Sequence, residues 1–219
     1  MSKLKWKVCG MKDPENIRQV ASLGPDYMGF IFYPPSPRYV GTALDQDVIA
    51  KLSPAIKKVG VFVNHDLDEI QQIAARYQLD LIQLHGDETS DQCKRIRDLD
   101  LEIVKAFRLD EQFDFSKLTP YALDVDYFLF DSPGKYYGGN GKAFDWGLLN
   151  NYDLEVPFFL SGGIDLDTLT GLAQLSKHQL HALDVNSKFE TAPGLKNISQ
   201  VEELKNRIGL VSPIDKSNL

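Results

Sequence analysis

The sequence predicts an α/β fold, a single-domain (β/α)8 barrel. Three observations carry that reading. Short, solidly apolar runs alternate with amphipathic stretches along the whole chain. Eight such units share 219 residues, about 27 each, at the lower end of the size range for an eightfold barrel. The runs are apolar throughout rather than alternating, as expected of parallel strands covered on both faces. A doubly wound open sheet is the alternative; the count of eight favours the closed form.

The strand candidates are Trp6–Val8, Tyr27–Phe32, Lys58–Val63, Leu79–Leu84, Glu102–Phe107, Tyr127–Phe130, Pro157–Leu160 and His181–Val185. Helical spacing of apolar residues follows at Ile17, Val20 and Ala21, at Val48, Ile49 and Leu52, from Leu67 to Tyr77, and at Cys93, Ile96 and Leu99. Shorter stretches near Trp146–Leu149, Leu166–Leu175 and Ile198–Ile208 complete the set. The first helix has the clearest start. Asp13 suits the N-cap, Pro14 the first helical position and Glu15 the first turn. No linker composition divides the chain. Residues 1–210 therefore read as the barrel and 211–219 as a C-terminal tail.

Charge and composition narrow the function. A net charge of −7 argues against a nucleic-acid partner, which needs broad positive surface. No apolar run is long enough to span a bilayer, and no signal-peptide h-region follows the basic start, so a cytoplasmic location is expected and no membrane partner. Two cysteines and four scattered histidines give neither a disulfide framework nor metal-ligand spacing, so no metal is expected. Gly138–Lys142 imitates a phosphate loop, but Tyr136 and Ala143 break the nucleotide-binding pattern.

In a barrel, the C-terminal ends of the strands open on one face, where active sites are built. Those ends carry Cys9, Arg38, Asn64, His85, Arg108, Asp131, Ser161-Gly162-Gly163 and Asn186-Ser187. Barrels place phosphate at the loops after strands seven and eight, here Gly162, Gly163, Asn186 and Ser187. Each single residue also has a plainer reading. A cysteine at a strand end is often a small core residue, and an aspartate there can cap a turn. His85 could pack its own loop, and Arg38 and Arg108 could be ion-pair residues.

Taken together, the motifs are more specific. Lys7-Val8-Cys9-Gly10, the run from Gly29 to Val40 with Ser36-Pro37-Arg38, Gln83-Leu84-His85-Gly86-Asp87-Glu88, Lys105-Ala106-Phe107-Arg108, Phe130-Asp131-Ser132, Gly138–Trp146, Leu160-Ser161-Gly162-Gly163 and Asp184-Val185-Asn186-Ser187 resemble phosphoribosylanthranilate isomerases, in family order. The resemblance implies a cofactor-free (β/α)8 enzyme of tryptophan biosynthesis acting on a small phosphosugar. It would convert N-(5-phosphoribosyl)anthranilate to 1-(2-carboxyphenylamino)-1-deoxyribulose 5-phosphate by an Amadori rearrangement. It implies Cys9 as general base, Asp131 as general acid and Arg38 as partner of the anthranilate carboxylate. His85, Arg108 and Asp184 join them as expected substrate contacts. Departures are the longer Pro133–Tyr137 stretch and Lys188, where the family often has glycine. Lys7 shares a strand face with Cys9, and its ammonium together with the next helix N-terminus is expected to favour the thiolate.

Two rivals remain at this point. An indole-glycerol-phosphate synthase relative would need a catalytic lysine and two further acids at strand ends. A non-catalytic phosphate-ligand module on the same barrel would show no turnover. Monomer and homodimer are both compatible with the sequence.

Overall fold

Each predicted strand forms, within a residue or two of its expected limits. The computed structural model describes residues 4–41, 44–133, 145–175 and 179–210. The tail at 211–219 and nearly all of the Gly138–Trp146 motif lie outside the described residues. The strands are β1 (Lys5–Val8), β2 (Tyr27–Ile31), β3 (Lys57–Phe62), β4 (Leu81–Leu84), β5 (Glu102–Arg108), β6 (Tyr127–Asp131), β7 (Phe158–Leu160) and β8 (Leu180–Val185). They close in sequence order, all parallel. β8 returns to β1 with Lys7 opposite Asp184.

Alternation along the strands sorts the side chains. One set, including Trp6, Val8, Met28, Phe30, Phe62, Ile82, Phe128 and Phe130, faces outward into a continuous apolar layer beneath the helices. The other set fills the barrel. Tyr27, Val59, Leu81, Val104, Leu129, Phe159 and Ala182 form its lower part, and Cys9, Ile31 and Val61 cluster at the top. Burial on both faces is why the strands read as solid apolar runs.

The outer wall is of two kinds. α1 (Pro14–Leu23), α2 (Gln46–Ala50), α3 (Leu67–Tyr77), α4 (Ser90–Arg97) and α5 (Ile198–Leu210) are α-helices. α1 starts as its sequence predicts: Asp13 Oδ1 accepts from the Asn16 N–H at 2.8 Å, and Gly24, at φ 72°, ends it. The crossovers after β5, β6 and β7 carry 3₁₀ turns instead, at Phe115–Tyr121, Trp146–Asn151 and Thr168–Gln174. Pro120 inside the first of these removes a donor that an α-helix would need. Aromatic rings pack together beneath these crossovers. Phe107, Phe115, Phe128, Phe130, Tyr152 and Phe158 meet at centroid distances of 5.1 to 6.4 Å. After β8 comes a hairpin the sequence reading does not include: β9 (Glu190–Ala192) and β10 (Leu195–Lys196), turned through Gly194 at φ 84°.

At the lower end of the barrel, the Tyr27 hydroxyl lies 2.7 Å from His181 Nε2, with the Tyr127 ring tilted against the imidazole at 4.4 Å. Burial, then Lys5 and Lys57, pull His181 down to about 4. The folded protein therefore binds fewer protons there than the unfolded chain between about pH 6.5 and pH 4. Stability is expected to fall on acidification through that window. His181→Gln should flatten this part of a Tm-against-pH curve; an unchanged slope would remove His181 as a cause.

Candidate active site

The site is assembled from every second residue at the upper ends of the strands. β1 delivers Lys7 and Cys9, β4 Gln83 and His85, β6 Asp131, and β8 Asp184 and Asn186. Backbone bonds to neighbouring strands fix the end residues: Cys9 N–H to Val185 O at 2.9 Å, His85 N–H to Phe62 O at 2.8 Å and Ser161 N–H to Phe130 O at 2.8 Å. A cleft opens among them. Cys9, His85, Asp131, Asp184, Gly162, Gly163, Asn186 and Ser187 all border it.

Cys9 sits on the barrel axis side, 5% exposed. Space around it exists because residue 29 is glycine. A Cβ there would stand 2.7 Å from Cys9 Sγ and 3.2 Å from Lys7 Cε. Burial raises the thiol's pKa above its ordinary value, and the Lys7 ammonium opposes that rise without cancelling it. The sequence expectation of a net lowered thiol is corrected here: Lys7 acts in the expected direction, but desolvation is larger. Lys7 itself is buried. Desolvation alone would push its pKa down, but Asp184 and Cys9 hold it above its ordinary value.

Beneath the cleft floor, Lys7 Nζ donates to Asp184 Oδ2 at 2.8 Å and to Gln83 Oε1 at 2.5 Å. The Gln83 amide meets His85 Nδ1 at 2.8 Å. On the other side of the ring, His85 Nε2 stands 3.3 Å from Asp131 Oδ2, close but not aligned as a hydrogen bond. Asp131 Oδ1 accepts from the Ser132 N–H at 2.8 Å. The loop after His85 is braced from below. Lys105 Nζ reaches Gly86 O at 2.8 Å and Glu88 Oε2 at 3.0 Å, and Glu88 Oε1 accepts from the Asn64 N–H at 2.8 Å.

The expected anion cradle has the backbone for it. Gly162 and Gly163 lie at φ 82° and 69°, the left-handed region that glycine adopts without strain. A Cβ on Gly162 would stand 2.3 Å from Ser132 N, so no other residue fits. The helix expected near Asp165 is instead a turn in which Asp165 Oδ1 accepts from Thr168 N–H at 2.9 Å before the 3₁₀ segment.

Other expected contacts are placed differently. Arg38 does not border the cleft. Its Nε and Nη2 grip Glu190 on β9 at 2.7 to 3.0 Å, leaving Nη1 without a protein partner among the described residues. Glu190 is held below its ordinary pKa: burial pushes the carboxyl up, but Arg38 and Lys196 outweigh it. Arg108 ends β5 but is also outside the cleft lining. Asp184 reaches the cleft, yet one oxygen is committed to Lys7. Residues that the sequence did not assign to the site also line it, among them the polar side chains of Tyr33, Gln83 and Lys188. Gln83 was findable, since it lies two residues before His85 on a strand and so shares its face.

Lys7 is expected to tune the thiol. Lys7→Met removes a charge that lowers the Cys9 pKa, so the thiolate fraction at a fixed pH should drop. Alkylation of Cys9 by iodoacetamide, followed from pH 7 to 10 with Cys93→Ser as background, should slow in the variant. An unaltered pH–rate curve would show that the ammonium does not act on the sulfur.

The family model for N-(5'-phosphoribosyl)anthranilate (PRA) isomerase matches residues 6–207. A relative from Parabacteroides distasonis, an N-(5'-phosphoribosyl)anthranilate isomerase, is 42% identical over 205 residues, covering 92% of this chain and 90% of its own. The crystal structure of the phosphoribosyl anthranilate isomerase from Thermus thermophilus superposes with a TM-score of 0.85 at 24% identity, over 95% of this chain and all of that one, a likeness of fold. A further solved phosphoribosyl anthranilate isomerase, in complex with reduced 1-(o-carboxyphenylamino)-1-deoxyribulose 5-phosphate, gives a TM-score of 0.79 at 25% identity, over 95% of this chain and 100% of that one.

Proposed function

The chain belongs to the N-(5'-phosphoribosyl)anthranilate isomerase family, and we propose that Cys9 and Asp131 are the base and acid of its Amadori rearrangement. The observation that carries the assignment is their meeting in one cleft from opposite sides of the barrel, on β1 and β6, with the Gly162-Gly163 turn on the same rim. Among the described residues no helix is long and apolar enough to cross a membrane.

The chemistry needs two proton transfers. Asp131, protonated, gives its proton to the furanose ring oxygen, and the C–O bond to C1 breaks as the anilino nitrogen supplies electrons. A Schiff base results. Cys9, as thiolate, then removes the proton from C2, leaving an enol-amine. Ketonisation with protonation at C1 gives the aminoketose. Each positioned acid or base contributes roughly 10²–10⁴-fold. The Lys7 ammonium assists by favouring the thiolate, against the desolvation that opposes it.

The sugar's phosphate is assigned to the backbone N–H groups of Gly162 and Gly163, with Asn186 and Ser187 on the facing loop. Lys188, exposed on the same rim, adds a cation there. Arg38 keeps its role toward the anthranilate carboxylate through Nη1, with Glu190 holding the guanidinium in place. Asp184 serves the sugar hydroxyls through the oxygen that Lys7 leaves free. His85 lies beside the acid, and Arg108 stays a substrate contact only if the ligand extends past the cleft to the end of β5.

Asp131→Asn is expected to lose nearly all turnover and to fail to complement a tryptophan auxotroph lacking only this step. Retention of most of kcat would reject Asp131 as the acid. Wild-type protein that binds the product analogue without turnover would instead identify a binding module.

The cations are separable from the chemistry. Arg38→Ala and Lys188→Ala should each raise KM with a smaller change in kcat, the sign of contacts made equally in ground and transition states. An unchanged KM removes the residue concerned from the binding site.

A further inference from the structure

The barrel interior contains a row of polar side chains that ends on Asp131, and the acid–base scheme leaves most of their mutual contacts without a role. Starting from β8, Asp184 binds Lys7 on β1, Lys7 binds Gln83 on β4, Gln83 binds His85 one step further up β4, and His85 faces Asp131 on β6. Lys7 and Gln83 are each 1% exposed, far below the rim. Burying an ammonium and an amide at a barrel's centre is unfavourable unless every hydrogen-bonding group has a partner. An apolar pair would fill the same space.

The donor and acceptor inventory of these groups fixes their order. An ammonium only donates. The Gln83 atom 2.5 Å from Lys7 Nζ must therefore be the amide oxygen. The opposite amide orientation would press NH2 against NH3⁺. With the oxygen committed, the NH2 group is what meets His85 Nδ1 at 2.8 Å. Nδ1 must then accept, and the neutral ring carries its hydrogen on Nε2. That hydrogen is on the side of the ring facing Asp131 Oδ2, 3.3 Å away.

We infer that Lys7 and Gln83 are positioning residues that lock His85 in its Nε2–H tautomer, aiming a hydrogen-bond donor at the Asp131 carboxylate. The consequence lies in ring opening, and it rests on the reading of Asp131 as the acid. When Asp131 hands its proton to the sugar's ring oxygen, negative charge develops on its carboxyl group. A donor already aimed at that oxygen stabilises the charge without reorganising. A 3.3 Å, imperfectly aligned contact before ligand binding is compatible with this, since such bonds tighten when the complex forms. The relay also gives Lys7 a second effect. The same ammonium that favours the Cys9 thiolate orients, through Gln83, the donor for the acid.

The test is ¹⁵N NMR of the imidazoles in the free protein, with His85 assigned by His85→Asn, combined with steady-state kinetics. Wild-type His85 is expected to show a protonated Nε2 and an unprotonated Nδ1. Gln83→Glu keeps the shape and the Lys7 contact but turns an acceptor toward Nδ1, so the tautomer should invert. kcat should then fall by roughly 10²-fold, the scale of losing one preorganised donor to developing negative charge, with KM changed less than twofold. Gln83→Met, which offers Nδ1 neither donor nor strong acceptor, should give a mixed tautomer and an intermediate kcat. It stands in if the glutamate variant does not fold. A wild-type ring protonated on Nδ1, or Gln83 variants that keep the Nε2–H form, would overturn the relay. An inverted tautomer with unchanged kcat would overturn its catalytic part. Full turnover by Asp131→Asn would instead refute the acid assignment and leave the NMR result standing.

Discussion

The Lys7–Asp184 ion pair inside the barrel is the constraint around which the site is built. Both groups are almost completely buried, and neither partner could be lost without leaving a charge stranded in a low-dielectric interior. Meeting that requirement determines much else. Residue 29 must be glycine, because Lys7 and Cys9 occupy the space a side chain would take. Gln83 must turn its oxygen toward the ammonium. The thiol acquires a neighbouring positive charge as a by-product of the same pairing. Function and interior packing are here one arrangement, in which the cost of burying charge is offset by organising the groups above it.

The second feature of the site is how loops are held at its rim. Arg38 is anchored by two of its nitrogens to Glu190, and Lys196 reaches both Glu190 at 2.6 Å and Asn186 Oδ1 at 2.7 Å. The small β9–β10 hairpin thereby ties the loop after β2 to the loop after β8, across β1. On the far side, the buried Lys105–Glu88 pair does the same for the turn beneath His85. Rigid support of this kind is what a site made of loop residues needs if its groups are to stay within reach of one another.

Much of the fold was legible in the sequence because burial on both faces leaves a plain signature. The eight apolar runs coincide with the eight strands, and Asp13-Pro14-Glu15 marks the start of α1. The crossovers after β5, β6 and β7 were less legible: short amphipathic patterns do not distinguish a 3₁₀ turn from an α-helix, and between Arg108 and Tyr127 no helical pattern stands out. The hairpin at Glu190–Lys196 is half polar and resembles loop. At the site, strand-end position brought Cys9, His85, Asp131 and Gly162 to one cleft. Pairing was out of reach, because the partners are distant in the chain. Lys7 meets Gln83 across 76 positions and Asp184 across 177, and nothing local announces either. The same limit hid the Glu190 grip on Arg38 and the victory of desolvation over Lys7 at the thiol.

The uneven outer wall gives the two sides of the cleft different mechanical character. Cys9 belongs to the side buttressed by α1 and α5, where Asn16 clasps the Lys196 backbone through both its amide atoms. Asp131 belongs to the side of the 3₁₀ crossovers, where aromatic rings meet edge-on and tilted. Rings can slip against one another with little loss of hydrogen bonding, whereas a capped helix yields only by breaking its ladder. The sulfur thus stands on a wall held by helical hydrogen bonds, and the carboxylate on a wall held by ring contacts.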